Sequence, residues 1–250
     1  MQLSELVTTS RAVASTRKRT EKVHHLARAL AQLAPDEREP GAAWLAGELL
    51  GGKLGLGPAT VWKTQDVPAA PEPTLSVAEV AGELDALRDL AGPGSQTERL
   101  KRFERLLARA TADEQDFLRR LVVGELRQGA LSSLLLDAVA AAARVAPAAV
   151  RRAHMFAGAS APVVRAAFEG GEAELAKFDL VLFEPVHPML ALPAEDLDEA
   201  RAKLEDPYLE LKMDGARVQI HRDGGDVRIF TRKLNDRSEE HTSELQSLLI

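Results

Sequence analysis

Glu210-Leu211-Lys212-Met213-Asp214-Gly215-Ala216-Arg217 is the stretch on which the reading of this 250-residue chain turns. Leu209, Leu211 and Met213 alternate with Tyr208, Glu210 and Lys212. That period of two predicts a strand with Glu210 and Lys212 on one face. Asp214-Gly215 predicts a tight turn after it. A second alternating run, Arg217 to Arg222, places Val218 and Ile220 on an apolar face. Asp223-Gly224-Gly225-Asp226 turns the chain again, and Val227 to Arg232 makes a third strand. Lys212 then faces a pocket edged by carboxylates and arginines. A lysine amine is a nucleophile only when neutral, and desolvation or neighbouring cations lower its pKa. Arg217, Arg232 and a bound metal supply such a cationic field. The competing reading is a surface hairpin with a solvated lysine, because Lys-Asp-Gly triplets are common.

Upstream of Tyr208 the period is helical. Residues 3 to 33 predict two helices with the basic cluster Arg17-Lys18-Arg19 near the break between them. Asp36-Glu37-Arg38-Glu39 resembles a capping box with Pro40 in the first turn, and the helix it starts ends at Gly51-Gly52. Ser76-Val77-Ala78-Glu79, Ser95-Gln96-Thr97-Glu98 and Thr111-Ala112-Asp113-Glu114 predict three more capped helices, the last running to about Leu126 and closed by Gly129. Ser132 to Ala143 reads as a core helix. Further helices follow from Pro147, over Ala161 to Phe168 and over Glu172 to Phe178. A proline-containing stretch from 179 to 207 links this array to the alternating part and carries a short helix over Glu195 to Leu204.

Charge is unevenly distributed. Residues 1 to 178 hold 23 Lys+Arg against 22 Asp+Glu, net +1, and residues 179 to 250 hold 9 against 16, net −7. Clusters rather than totals decide whether phosphates are held. Arg17-Lys18-Arg19 with Lys22 is one cluster; Arg99, Lys101, Arg102, Arg105 and Arg109 form another. Either is also readable as a solvated helix face. Gly51-Gly52-Lys53-Leu54-Gly55-Leu56-Gly57 is not an ATP phosphate loop, because no Lys-Ser/Thr pair follows the last glycine and no strand precedes the first. The chain has no cysteine, which excludes disulfides and thiolate metal sites. Met1 to Arg19 lacks an uninterrupted apolar segment of the secretory type, and no apolar run reaches the length of a membrane span.

Four stretches carry a resemblance to a known family. Lys212-Met213-Asp214-Gly215-Ala216-Arg217 resembles the nucleotidyltransferase motif of ATP-dependent DNA ligases. Phe230-Thr231-Arg232 resembles the F-[ST]-R element that follows it, and Pro185-Val186-His187-Pro188-Met189-Leu190-Ala191 the lead-in to the adenylation domain. Leu118 to Ala130, which includes Gly124-Glu125-Leu126-Arg127-Gln128-Gly129, resembles the signature of the helical DNA-binding domain in front of it. The four occur in family order within residues 1 to 236, and the type is bacterial.

The resemblance implies a mainly α chain. An all-helical DNA-binding domain over 1–178 precedes a linker and the first β-strands of an α+β nucleotidyltransferase domain over 179–236. It implies the sealing of nicks in duplex DNA, in replication, repair and recombination. Lys212 attacks the α-phosphate of ATP to give a lysyl-AMP, AMP passes to the 5′-phosphate at the nick, and the 3′-hydroxyl displaces it. Mg²⁺ and arginines stabilise the charge that builds on phosphate oxygens. By the same resemblance Glu210 recognises adenine, Arg217 and Arg232 surround the ribose and phosphates, and Arg127 and Gly129 lie against the duplex, with Arg17, Lys18 and Arg19 as further DNA contacts. No metal ligand is assigned. A cytoplasmic monomer without membrane attachment is expected. An RNA ligase or a capping guanylyltransferase shares the lysine motif, and a non-catalytic DNA-binding module is the third reading.

After Asp236 the resemblance stops. Arg237-Ser238-Glu239-Glu240-His241-Thr242-Ser243-Glu244-Leu245-Gln246-Ser247 is encodable by a common sequencing-library adapter. Residues 237–250 are therefore expected to be a non-native tail on an inactive fragment, with Glu239, Glu240 and His241 not a metal site. A polar helix over Ser238 to Leu249 is the competing reading.

Overall fold

The structure, a computed structural model, describes residues 1–126, 132–188, 194–204, 206–208, 210–211, 214–232 and 234–238. Among them the chain is mainly helical, with eleven α-helices and one two-stranded antiparallel sheet. It divides into two compact units, Met1–Ala153 with Ala159–Phe178, and His154–Gly158 with Asp179–Ile250.

The first unit begins with α1 (Leu3–Ser15) and α2 (Arg19–Gln32), as the period predicts. Leu3, Leu6, Val7, Ser10 and Val13 form the buried stripe of α1, at the helical spacing of three and four. A 3-10 turn (Pro35–Glu37) leads into α3 (Arg38–Leu45). The cap lies earlier than expected: the Glu37 carboxylate reaches back to the Ala34 N–H at 3.0 Å. The same carboxylate takes the Met1 ammonium at 2.8 and 2.9 Å, and both groups are almost fully buried. Leu3 N–H and the Met1 carbonyl bond to Leu75 and Val77, tying the chain start to the segment before α5. α3 stops at Leu45, short of the expected Gly51-Gly52.

α4 (Pro58–Trp62) and a 3-10 turn (Lys63–Asp66) precede α5 (Val77–Arg88), α6 (Ser95–Ala108) and α7 (Ala112–Val123). The capping boxes at Ser76 and Thr111 form, each hydroxyl accepting from the N–H three residues on. The one expected at Ser95 does not. Gly94 is the cap residue there, and Glu98 turns its carboxylate to Arg105 at 2.7 Å instead of to the helix start. α7 ends at Gly124, not at Leu126, because Gly124 is the first residue able to take the left-handed conformation (φ 74°) that terminates the helix. The expected stop at Gly129 lies outside the described residues.

α8 (Ser132–Ala143), α9 (Pro147–Ala157) and α10 (Ser160–Leu175) complete the array. α10 joins the two expected helices across a kink at Gly171. α2 packs on α8 and α3 on α10. At the second contact Arg38 lies over the Phe168 ring at 4.5 Å, and Arg165 pairs with Glu39 at 2.6 Å. Trp44, Phe103, Leu26, Leu30, Leu107 and Leu118 are among the fully buried side chains. Each apolar side chain so buried contributes on the order of 1.5–3 kcal/mol before chain entropy is counted. Arg119 is one of the buried polar side chains, beside Thr64 and Gln115. It donates to the Thr64 hydroxyl at 3.1 Å, the Thr64 carbonyl at 2.7 Å and Gln115 Oε1 at 2.9 Å, and burial pushes its pKa down.

In the second unit α11 (Leu197–Ala202) is shorter than expected and is capped by Asp196, whose carboxylate accepts from Glu199 N–H at 2.8 Å. The hairpin is β1 (Val218–Asp223) and β2 (Asp226–Thr231), with Val218 opposite Thr231 and Asp223 opposite Asp226. Its loop is Gly224-Gly225. Positive φ at Gly224 alone is the pattern of a type II′ turn, whose twist matches that of the strands. The far edge of β2 is also occupied: Arg237 N–H bonds to the Ile229 carbonyl at 2.8 Å, and Ser238 Oγ accepts from Ile229 N–H at 3.1 Å. These are the first two residues of the expected tail; the rest of it, 239–250, lies outside the described residues.

Candidate functional site

Two departures from the sequence reading define the surroundings of the lysine motif. First, Tyr208, Glu210 and Leu211 carry no strand. A strand requires a hydrogen-bonded neighbour. Among the described residues the sheet contains only β1 and β2, and Leu211 is 92% exposed. Lys212 and Met213 lie outside the described residues, so the shared face of Glu210 and Lys212 remains an expectation. So do the positions of Arg127 and Gly129.

Second, the covered face of β1 is the polar one. Val218 and Ile220, placed by alternation on the apolar face, are 42% and 46% exposed, while Gln219 and His221 are half-buried. The segment Phe183–Val186 explains the inversion. Gln219 donates its amide to the Val186 carbonyl at 2.6 Å and accepts from Val186 N–H at 2.9 Å. His221 Nδ1 accepts from Phe183 N–H at 2.9 Å, and its ring meets Phe230 edge-on. Arg228 lies over the Phe183 ring. The side chains of Gln219 and His221 thus satisfy backbone groups of the lead-in segment as a neighbouring strand would. Nothing in an alternation pattern signals this, since polar residues at alternate positions read as the solvent face.

The lead-in also bonds to the end of α9. His187 N–H donates to the Met155 carbonyl at 2.9 Å, its Nε2 lies 3.0 Å from the Gly158 carbonyl, and its ring stacks on His154 with centroids 5.0 Å apart. Burial holds the His154 pKa below the usual imidazole range, and the His187 ring lowers it further.

The register places Arg217 and Arg232 at the same end of the hairpin. Each lies one residue beyond the last register pair, Val218 and Thr231, at the open end of the hairpin. Both are exposed, and neither has an ion pair or hydrogen bond among the described residues, nor does Glu210. Two guanidiniums with uncommitted donors at one end of a hairpin suit a polyphosphate. For a metal the donor set is absent: among the described residues no group of three or more His, Asp or Glu could hold one.

In the helical unit the two basic clusters separate. Arg102 pairs with Glu83 at 2.8 Å, Arg105 with Glu98 at 2.7 Å and Arg109 with Glu79 at 3.1 Å. Arg99 donates to the carbonyls of Leu87 and Leu90. That cluster is spent on the fold, and only Lys101 in it is exposed and uncommitted. In the other cluster Arg17 is exposed with no partner among the described residues, Lys18 pairs with Glu21 at 2.9 Å, and Arg19 pairs with Asp137 of α8. No helix among the described residues is long and apolar enough to cross a membrane.

Comparison with known proteins agrees with both halves of this picture. Residues 52–140 match the model of the DNA ligase N terminus, and residues 188–249 that of the ATP dependent DNA ligase domain. Among similar proteins, each named "Probable DNA ligase", one from Anaeromyxobacter sp. (strain Fw109-5) is 56% identical over 94% of this chain and 46% of its own length. One from Saccharopolyspora erythraea is 51% identical over 99% of this chain and 48% of its own. One from Rhodococcus jostii (strain RHA1) is 47% identical over 94% and 47%. The chain spans about half the length of these curated relatives, and on both matches it belongs to the ATP-dependent DNA ligase family.

Proposed function

We propose that this chain supplies the DNA-holding and adenylate-accepting parts of an enzyme that seals nicks in duplex DNA with ATP. The observation that carries the reading is that Arg217, the last residue of the lysine motif, and Arg232 both lie at the open end of the hairpin, one residue beyond the Val218–Thr231 pair, and both are uncommitted among the described residues. Lys212 is the nucleophile in this reading. Its amine attacks the α-phosphate of ATP, forming the N–P bond as the bond to pyrophosphate breaks, and gives up its proton. A neutral lysine is favoured by cationic groups close to it, the part this reading gives to Arg217 and Arg232. Arg217 and Arg232 hold the phosphates, and Glu210 takes the adenine. AMP then moves to the 5′-phosphate and leaves when the 3′-hydroxyl attacks. Mg²⁺ belongs to the family's chemistry, and the lysine and arginines account for the roles assigned here without naming its ligands.

The helical unit contributes duplex binding without sequence readout, through Arg17, Lys18 and Arg19 and through Arg127 and Gly129. The setting is the cytoplasm, and the enzyme acts as a monomer. The test uses the chain continued by the C-terminal portion of the Saccharopolyspora erythraea relative, incubated with α-labelled ATP. A covalent label that Lys212→Ala removes is expected. Label retained by that variant, or an adduct formed from GTP in place of ATP, refutes the reading.

A further inference from the structure

The two basic clusters differ in one respect that the sequence hides. On α6 each paired arginine has a glutamate of its own, so the charge cancels. On the α2–α8–α9 side, one carboxylate serves two arginines. Asp137 gives Oδ2 to Arg19 and Oδ1 to Arg151. The carboxylate is 17% exposed, while both guanidinium side chains are 56% exposed. Arg19 and Arg151 each commit one terminal nitrogen to Asp137, which leaves the remaining N–H groups of both forks without a partner among the described residues. One positive charge is left over, and Arg17 adds a second.

From this geometry we propose that Arg19, Asp137 and Arg151 form a phosphate clamp, in which Arg151 of α9 is a backbone contact to duplex DNA. The proposal rests on the reading of the helical unit as the DNA-holding part. Two guanidiniums repel when brought together. Asp137 offsets that repulsion and fixes both forks before any ligand arrives, so little rotamer freedom is lost on binding. The clamp sits on α8 five residues after Ser132, and α8 follows directly on the stretch 118–130. Tertiary packing of α2 on α8 thus gathers Arg17, Lys18 and Arg19 with a residue 132 positions later in the chain. In a chain of net charge −6 this local surplus is where a polyanion is attracted.

The experiment measures equilibrium binding of the full 250-residue chain to a short duplex of random sequence across a salt series, with thermal melting of each variant alongside. Each phosphate contact contributes about 0.9 to the slope of log K against log salt. R151Q and R19Q are each expected to lower the slope by about that amount, R151K to keep the wild-type slope, and K101Q on α6 to leave it unchanged. A wild-type slope in R151Q overturns the clamp while leaving duplex binding intact. A slope in R151K as low as that of R151Q, the mark of a packing role, overturns it too. Wild-type chain that binds no duplex at any salt overturns both the clamp and the DNA-holding reading.

Discussion

Arg217 and Arg232 each lie one residue beyond the Val218–Thr231 pair, at the same end of the hairpin, with no acid among the described residues to neutralise either. Fifteen positions apart in sequence, they are brought to one end of the hairpin by the antiparallel register. Cross-strand like charges cost stability. Holding such a pair is useful where an anion is to be received.

It follows that Arg217→Ala and Arg232→Ala should each slow formation of the ATP-derived adduct. A hydrogen bond to a charged group is worth about 1.5–3 kcal/mol, or roughly ten- to a hundredfold in rate. Single-turnover labelling measures this, in the chain continued to the length of its relatives. Rates within twofold of wild type would remove both arginines from the nucleotide site.

Duplex binding should follow the cluster that keeps surplus charge rather than the one its glutamates neutralise. Replacing Arg17, Lys18 and Arg19 together with glutamine should flatten the salt dependence of duplex affinity. Replacing Arg102, Arg105 and Arg109 should leave the slope near wild type and lower the melting temperature, because their glutamate partners lose their pairs. The reverse pattern would assign the DNA surface to α6.

The buried contact between the Met1 ammonium and Glu37 should be costly to break. Glu37→Gln leaves a buried cation without its counter-charge, a loss of about 3 kcal/mol or more. Chemical denaturation of the variant checks this. An additional residue in front of Met1 should destabilise by the same route, since it moves the ammonium away. A variant as stable as wild type would show that solvent reaches the pair.

Stability should depend on pH through His154. Its folded pKa is lowered, by burial first and by His187 second, so the folded state favours the neutral ring. The contribution is fully present above the ordinary value of 6.5 and is lost as pH falls through the folded value. Glu79 has a depressed pKa from the Ser76 N–H, then Arg109 and the Ser76 hydroxyl. Its contribution is present above the ordinary value of 4.5 and is lost as pH falls through the folded one. The melting temperature should therefore begin to drop below about pH 6.5 and steepen below about pH 4.5, and His154→Gln should abolish the first step alone. A mutant profile superimposable on wild type would refute the assignment.

Local chemistry was legible in the chain itself. The caps at Ser76 and Thr111, the buried stripe of α1 and the turn at Gly224-Gly225 depend on residues within a few positions of one another. So does the lysine motif, which with three other stretches indicated the ligase family. Sequence spacing did not reveal what distant partners decide. The end of α7 at Gly124 is not of that kind, because a left-handed glycine stops a helix locally, whatever the apolar pattern after it. The polar side of β1 became the covered side, because Phe183–Val186 offered backbone groups that Gln219 and His221 could bond. Charge clusters of similar appearance acquired opposite fates: glutamates from α5 and α6 neutralised one, and a single aspartate on α8 left the other with charge to spare. A side chain's type is fixed by the sequence, but whether its charge is cancelled and its face covered depends on which remote groups the packing brings within hydrogen-bonding distance.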